Sequence, residues 1–165
     1  MTTYQSKEIL EIIRANYKQQ QQYDDVVLKN RVLSFETTIL EWRDIGDLLE
    51  TDELWNYLNF YFQISADYQT WETILEPQDK KTLKDLCDFI ALNSEKVIIK
   101  PIKLLGQECE TAGIFRTLTN KLKAKGIDTS EIKPSSKLET LINKFGMVII
   151  EEFNLIDPTV LPPIN

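Results

Sequence analysis

Apolar residues recur along most of this chain at spacings of three and four, which predicts helices rather than strands. The two clearest segments flank a loop. Asp52–Phe62 is acidic at its start (Asp52, Glu53) and then carries Leu54, Trp55, Tyr57, Leu58, Tyr61 and Phe62. Leu83–Leu92 follows Thr82 and sets Leu83, Leu86, Cys87 and Ile90 at i, i+3, i+4 and i+7, one buried stripe. The stretch between them, with Ser65, Asp67, Trp71, Pro77 and Asp79, reads as loop. Upstream, residues 6–18 predict a helix with Ser6 as its N-cap and Ile9, Ile12, Ile13 and Tyr17 on one face. Gln19–Gln22 is a polar run, either the frayed end of that helix or a loop. Asp24 and Asp25 open a second helical piece through Val26, Val27, Val32 and Leu33. Ile39, Leu40 and Trp42 continue the signal, but its phase slips over Ser34–Thr38, so a break is expected there.

After Leu92 the texture changes. Lys96–Lys100 is β-branched and ends at Pro101, which predicts an extended segment or short strand and a domain boundary. Gly106–Lys125 predicts a helix with Ile114, Phe115, Leu118 and Leu122 inward, a lysine-rich last turn and Gly126 beyond it. Ser136 and Glu139 form the S-x-x-E pattern of a capping box ahead of Leu138, Leu141, Ile142 and Phe145. Met147–Ile150 fits either a continued helix or a strand pairing with Val97–Ile99, and the tail Asp157–Asn165 holds three prolines and is expected to be extended.

Composition narrows the function classes. The 165 residues suffice for one solid core or a core plus a small annex. The net charge of −7 argues against nucleic acid, whose phosphates need a Lys/Arg surface. The charge is uneven: residues 1–92 sum to −8 and residues 93–165 to +1. No apolar run approaches the ~18–20 residues of a membrane span and no leader pattern opens the chain, so a cytoplasmic protein without membrane contact is expected. The chain has no histidine, which removes Ser-His-Asp and Cys-His activation, His-ligated zinc and the usual general base near neutral pH. Its two cysteines, Cys87 and Cys109, are too few for a thiolate zinc site and read as reduced, packed thiols.

The remaining candidates for chemistry are weak. Cys109 sits near a predicted helix start beside Glu108 and Glu110, with no base to activate it. Ser135-Ser136-Lys137 offers a hydroxyl beside an amine, but adjacent residues at a helix start do not converge. Lys121, Lys123, Lys125, Lys133 and Lys137 read as helix-end charge complementarity, with phosphate or acidic-partner binding as the alternative. Asp85/Asp88 and Glu151/Glu152 read as solvated carboxylates, and no Walker loop, dinucleotide fingerprint or EF-hand loop is present. We therefore assign no catalytic, cofactor-binding or metal-binding residue. Five aromatics between Trp55 and Phe62 exceed one ~100° helical stripe. This predicts a centrally buried helix covered by the 101–150 region, or else one flank used for contact.

One stretch carries a family likeness. Asp44-Ile45-Gly46, Asp47-Leu48-Leu49, a helix ending at Phe62, a loop, then Thr82-Leu83-Lys84-Asp85 running to Phe89-Ile90 resembles an acyl carrier protein. The likeness covers about residues 6–92 and is specific only over 42–92. The family's Asp-Ser-Leu triplet, whose serine accepts phosphopantetheine, is replaced by Asp47-Leu48-Leu49, and a shifted register puts Glu53 at that position. The resemblance thus implies a helical bundle with an acidic docking face (Asp44, Asp47, Glu50, Asp52, Glu53) for a basic patch on a protein partner, without the carrier chemistry. The same carboxylates equally serve as helix-start charges.

The expected fold is mostly α: an acyl-carrier-like bundle over residues 1–95, extended by a helical annex with a Pro-containing tail over 96–165, the two forming one compact unit with room for a minor two-stranded sheet. The expected function is a non-catalytic protein-binding or scaffold protein. The alternatives are a true acyl or peptidyl carrier modified at an unexpected serine, and a small enzyme of unknown reaction built on carboxylates or Cys109.

Overall fold

The computed structural model describes residues 2–23, 31–46, 50–104 and 106–159. The protein is mostly α, with a minor two-stranded antiparallel sheet. It divides into two compact units, one reaching to Lys96 and one beginning at Val97.

The N-terminal unit holds α1 (Ser6–Tyr23), α2 (Ile39–Gly46), α3 (Thr51–Phe62), α4 (Tyr68–Leu75) and α5 (Leu83–Asn93). α1 runs through the polar Gln19–Gln22 run, and Gln19 is itself buried. Its apolar stripe (Ile9, Ile12, Ile13, Tyr17) is buried, and α1 packs on α5. The start of α1 differs from expectation. Glu8 Oε2 accepts from the Gln5 N–H at 2.8 Å, whereas Ser6 Oγ donates to Asp88 Oδ1 at 2.5 Å and ties α1 to α5. The Lys96–Glu8 ion pair and the Lys96 N–H to Thr2 carbonyl bond (2.9 Å) fasten the chain after α5 to the segment before α1.

The break expected over Ser34–Thr38 is present: a turn precedes α2. The second helical piece proposed from Asp24 falls largely on residues 24–30, outside the described residues. The turn is pinned by backbone bonds Ile39 N–H to Lys81 O (2.8 Å), Leu83 N–H to Thr37 O (2.8 Å) and Lys84 N–H to Phe35 O (3.1 Å). α2 and α5 therefore start side by side, and they start alike. Glu41 Oε2 accepts from the Thr38 N–H (2.9 Å) and hydroxyl (3.1 Å), while Thr38 Oγ1 accepts from the Glu41 N–H (3.1 Å). At α5, Asp85 Oδ2 accepts from the Thr82 N–H and hydroxyl, both at 2.9 Å. Each satisfies a donor that a helix start leaves orphaned.

The expected loop between α3 and α5 contains a helix, α4. Asp67 caps it by accepting from the Thr70 N–H at 2.9 Å, and Trp71 and Leu75, one turn apart, are buried. α4 packs on both α3 and α5. The Trp71 ring meets Phe89 edge to face at 4.9 Å, and its Nε1 donates to Asn59 Oδ1 at 3.0 Å.

The second unit opens with an extended stretch and a hairpin of β1 (Ile102–Leu104) and β2 (Gln107–Cys109), in register Ile102↔Cys109. Of the two alternatives for Met147–Ile150, the stretch is helical and the pairing with Val97–Ile99 does not form. Gly106, at φ 85°, turns the chain back locally, and a short turn costs less loop-closure entropy than a distant pairing. Consequently α6 (Glu110–Ala124) starts at Glu110 rather than Gly106. Gly113 in α6 lies where a Cβ would come within 2.6 Å of the Lys100 carbonyl oxygen, so this helix seats directly on the extended stretch. α7 (Leu138–Phe145) has Lys137 at its N-cap position, without a side-chain capping bond. The proposed Ser136/Glu139 box is absent because Ser136 Oγ accepts from the Lys133 N–H (2.9 Å) and serves the preceding turn. Gly146, at φ 70°, redirects the chain into α8 (Met147–Ile156), which packs on α6 and α7 and buries Ile149, Ile150 and Leu155.

Candidate functional site

Four of the five proposed docking carboxylates, Asp44, Glu50, Asp52 and Glu53, are exposed; Asp47 lies outside the described residues. Asp44 sits in the last turn of α2, Glu50 is the N-cap residue of α3, and Asp52 and Glu53 fill its first turn. An ion pair from Arg43 to Glu50 (3.7 Å) links the two helix ends, and Arg43 Nη1 also donates to Gln78 Oε1 at 2.9 Å. Asp52 Oδ1 accepts from the Glu53 N–H at 3.1 Å. Glu50 is thus locally balanced by a cation.

The aromatic run that comes next is not fully buried, contrary to the expectation of a covered helix. Leu54, Leu58, Tyr61 and Phe62 face inward, but Phe60 is 60% exposed. Five aromatics in eight residues leave at least one on the solvent side, as the stripe width requires. Glu53, Asn56 and Phe60, at steps of three and four, form one exposed line on α3. The buried flank is fixed by rings: Tyr57 stacks on Tyr61 (5.5 Å), Tyr61 meets Phe62 edge-on (4.7 Å), and Asn16 Nδ2 donates to the Tyr61 hydroxyl (3.1 Å).

Beyond the C-terminal end of α3 lies a groove of about 630 Å³, walled by the 63–67 loop, the start of α4 and the end of α5. Asn59 fixes that loop. Its Nδ2 donates to Ala66 O (2.8 Å), its Oδ1 accepts from the Ala66 N–H (3.3 Å), and its carbonyl accepts from the Ile64 N–H (2.9 Å). Sequence reasoning missed the groove because its residues come from three elements, two of which meet only through the unforeseen α4.

The cysteine and the carboxylate pair of α5 have structural roles. Cys87 is buried, and desolvation, with Asp88 adding to it, pushes its thiol up to about 12, leaving no thiolate for chemistry near neutral pH. Asp85 and Asp88 are held below the usual carboxylate range, the first by the Thr82 N–H and the second by Lys84 and Ser6, so neither suits a general acid. Among the described residues no group of three or more His, Cys, Asp or Glu side chains is placed to hold a metal.

Glu152, expected to be solvated beside Glu151, is instead wholly buried and forms ion pairs with Lys121 (3.1 Å) and Lys125 (2.6 Å) on α6. Two of the five lysines considered for phosphate binding are committed to this carboxylate. Among the described residues no helix is long and apolar enough to cross a membrane. Comparison with protein-family models gave no matching family, and comparisons with curated proteins and with solved structures gave no significant match.

Proposed function

We propose that the N-terminal unit is a non-catalytic protein-binding module whose contact surface is the outer face of α3. The carrying observation is the exposed line from Asp52 and Glu53 to Phe60. It spans seven helical steps, about 10 Å, with charge at one end and an aromatic ring at the other. A charged rim that steers encounter beside an aromatic anchor is the composition of a protein interface. The likeness of residues 42–92 to acyl carrier proteins supports the same reading, since that resemblance implies an acidic docking face toward basic partners. The absence of histidine from the sequence, and the low-lying carboxyl groups of Asp85 and Asp88, weigh against a catalytic alternative.

The test is affinity capture from native extract with wild type, a D52K/E53K variant and F60A. A specific partner bearing a basic surface is expected with wild type, reduced about tenfold by either change. Recovery of the same chaperones with all three proteins would refute the reading.

A second reading is favoured by one residue. Ser65 is exposed two positions before the N-cap of α4, whereas the Ser34 hydroxyl donates to Glu36 (2.7 Å) inside a turn. On this reading the arm would sit on an exposed hydroxyl such as Ser65. Incubation with coenzyme A and a promiscuous phosphopantetheinyl transferase, followed by intact-mass measurement, decides this: an unshifted mass eliminates it.

A further inference from the structure

Residues 2–5, ahead of α1, run against the residues that follow α5. Thr3 and Glu95 pair as a single antiparallel bridge, and the Lys96 N–H donates to the Thr2 carbonyl at 2.9 Å. Tyr4 is buried and anchors this strap. Glu8 then serves both sides: its Oε2 accepts from the Gln5 N–H at 2.8 Å, and its Oε1 accepts from Lys96 Nζ. These donors, Lys96 first and Gln5 second, hold the Glu8 carboxyl below its usual range. Across from the strap, the buried Ser94 closes α5 by donating its N–H (3.0 Å) and hydroxyl (2.6 Å) to the Ile90 carbonyl. One carboxylate thus ties together the strap, the start of α1 and the chain leaving α5.

The place of these ties along the chain gives them a consequence. The first compact unit reaches to Lys96 and the second begins at Val97, so the Lys96–Val97 peptide bond is the boundary. Lys96 is held at both its main-chain N–H and its ammonium group, whereas Ile98, two residues on, is 54% exposed. A lysine-directed protease must bind that same ammonium in an acidic pocket, as trypsin does, and Glu8 competes for it. We propose that residues 2–5 and Glu8 form a clasp over the Lys96–Val97 bond, whose local opening lets a lysine-directed protease divide the chain between its two units. In that step water adds across the peptide bond, leaving a carboxylate on Lys96 and an amino group on Val97. The Lys96 and Glu8 side chains are 36% and 37% exposed, so salt screens their attraction and favours the open form. Cleavage of a transiently opened segment follows its open population when reclosing is fast, and short exposed pairings open well before the core does.

The experiment is limited trypsin digestion of the full chain, with the Lys96–Val97 cut followed by intact mass. Cleavage at Lys137–Leu138, after an exposed lysine ahead of α7, is the internal reference. Glu8→Gln keeps an oxygen for the Gln5 N–H but removes the charge facing Lys96, and Tyr4→Ala removes the anchor of the strap. The ratio of the two cuts is expected to rise about two- to fivefold in E8Q, and further in Y4A. In wild type, about 0.5 M NaCl is expected to raise the same ratio, and E8Q should lose most of that response. Native-state hydrogen exchange of the wild type supplies a readout that needs no variant. The Gln5 and Lys96 amides should exchange through one shared opening, while the Trp71 amide, bonded to the Asp67 carbonyl, stays protected. The proposal is overturned if the E8Q ratio equals that of wild type. It is also overturned if both cuts accelerate in proportion as the urea midpoint falls, which marks unfolding of the whole chain. Exchange of Gln5 and Lys96 at unrelated rates in wild type overturns it even if Y4A fails to fold.

Discussion

Glu152 shows how much one side chain decides in the second unit. It is 0% exposed, while the Lys121 and Lys125 side chains remain 16% and 13% exposed. The carboxylate is therefore fully desolvated and the lysines keep a path to water. Removing a partner from a buried pair leaves the others uncompensated, and here it leaves two ammonium groups one helical turn apart. Glu152→Ala is expected to destabilise the protein by about 3 kcal/mol, tempered by the lysines' ability to swing outward, as read by urea denaturation. Replacing all three residues with methionine is expected to restore most of that loss, because well-packed apolar side chains often match a buried ion cluster. If the triple variant is as unstable as the single one, packing around Glu152 rather than charge is what matters.

Among the elements, α4 carries the N-terminal unit. Its buried Trp71 joins three helices at once, through the ring contact with Phe89 on α5 and the hydrogen bond to Asn59 on α3. Trp71→Ala is expected to cost about 3–5 kcal/mol and, since it also frees Asn59, to loosen the 63–67 loop. Hydrogen exchange at Ile64 and Ala66 reports this directly: both amides should lose protection. The carboxylates at and between α1 and α5 give a second expectation. Asp85, Asp88 and Glu8 all have carboxyl groups held below their ordinary range by donors at helix starts and by Lys84 and Lys96. A depressed folded-state value means that the unfolded chain binds more protons, so their contribution is full above the ordinary carboxylate range and is lost as pH falls through it toward the folded values. Thermal midpoints should thus fall below about pH 4.5, and Asp85→Ala should flatten part of that fall while lowering the midpoint at pH 7. These groups are largely solvated, so the effect of each is small.

The α4 region also marks where local signals stop being sufficient. The Asp67 cap with Trp71 and Leu75 was present in the sequence, but two inward residues in eight give too little periodicity to outweigh the loop reading of Pro77 and Asp79. The Thr38/Glu41 box was equally available, hidden by the phase slip just before it. By contrast, the start of α5 after Thr82 was legible because an unbroken apolar stripe begins directly there.

At the scale of the whole molecule, each unit has its own buried set. Ile9, Ile12, Leu58, Trp71, Leu83 and Ile90 lie in one, and Leu118, Leu122, Ile142, Ile149 and Ile150 in the other. A chain ending at Lys96 is therefore expected to keep its helical circular dichroism and to unfold in one cooperative transition. A featureless melt of that fragment would show that the first core is incomplete without the residues beyond Lys96. The acidic balance of residues 1–92 should make the fragment bind an anion exchanger more tightly than the full chain does.

The sequence by itself determined the helical class, the buried stripes of α1 and α5, the extended stretch at Lys96–Lys100, and the exclusion of histidine-based chemistry. Each of these depends on residues a few positions apart or on composition, and such effects operate before the chain is packed. Only the tertiary structure decided that Glu152 is buried, that Ser136 serves a turn instead of a helix, that Phe60 faces water, and that Gln63, Asp67, Phe89, Asn93 and Glu95 share one groove. Those outcomes depend on which face a neighbouring element covers. Whether a carboxylate is solvated or paired is fixed by the helix lying against it, and nothing within its own turn of chain carries that information.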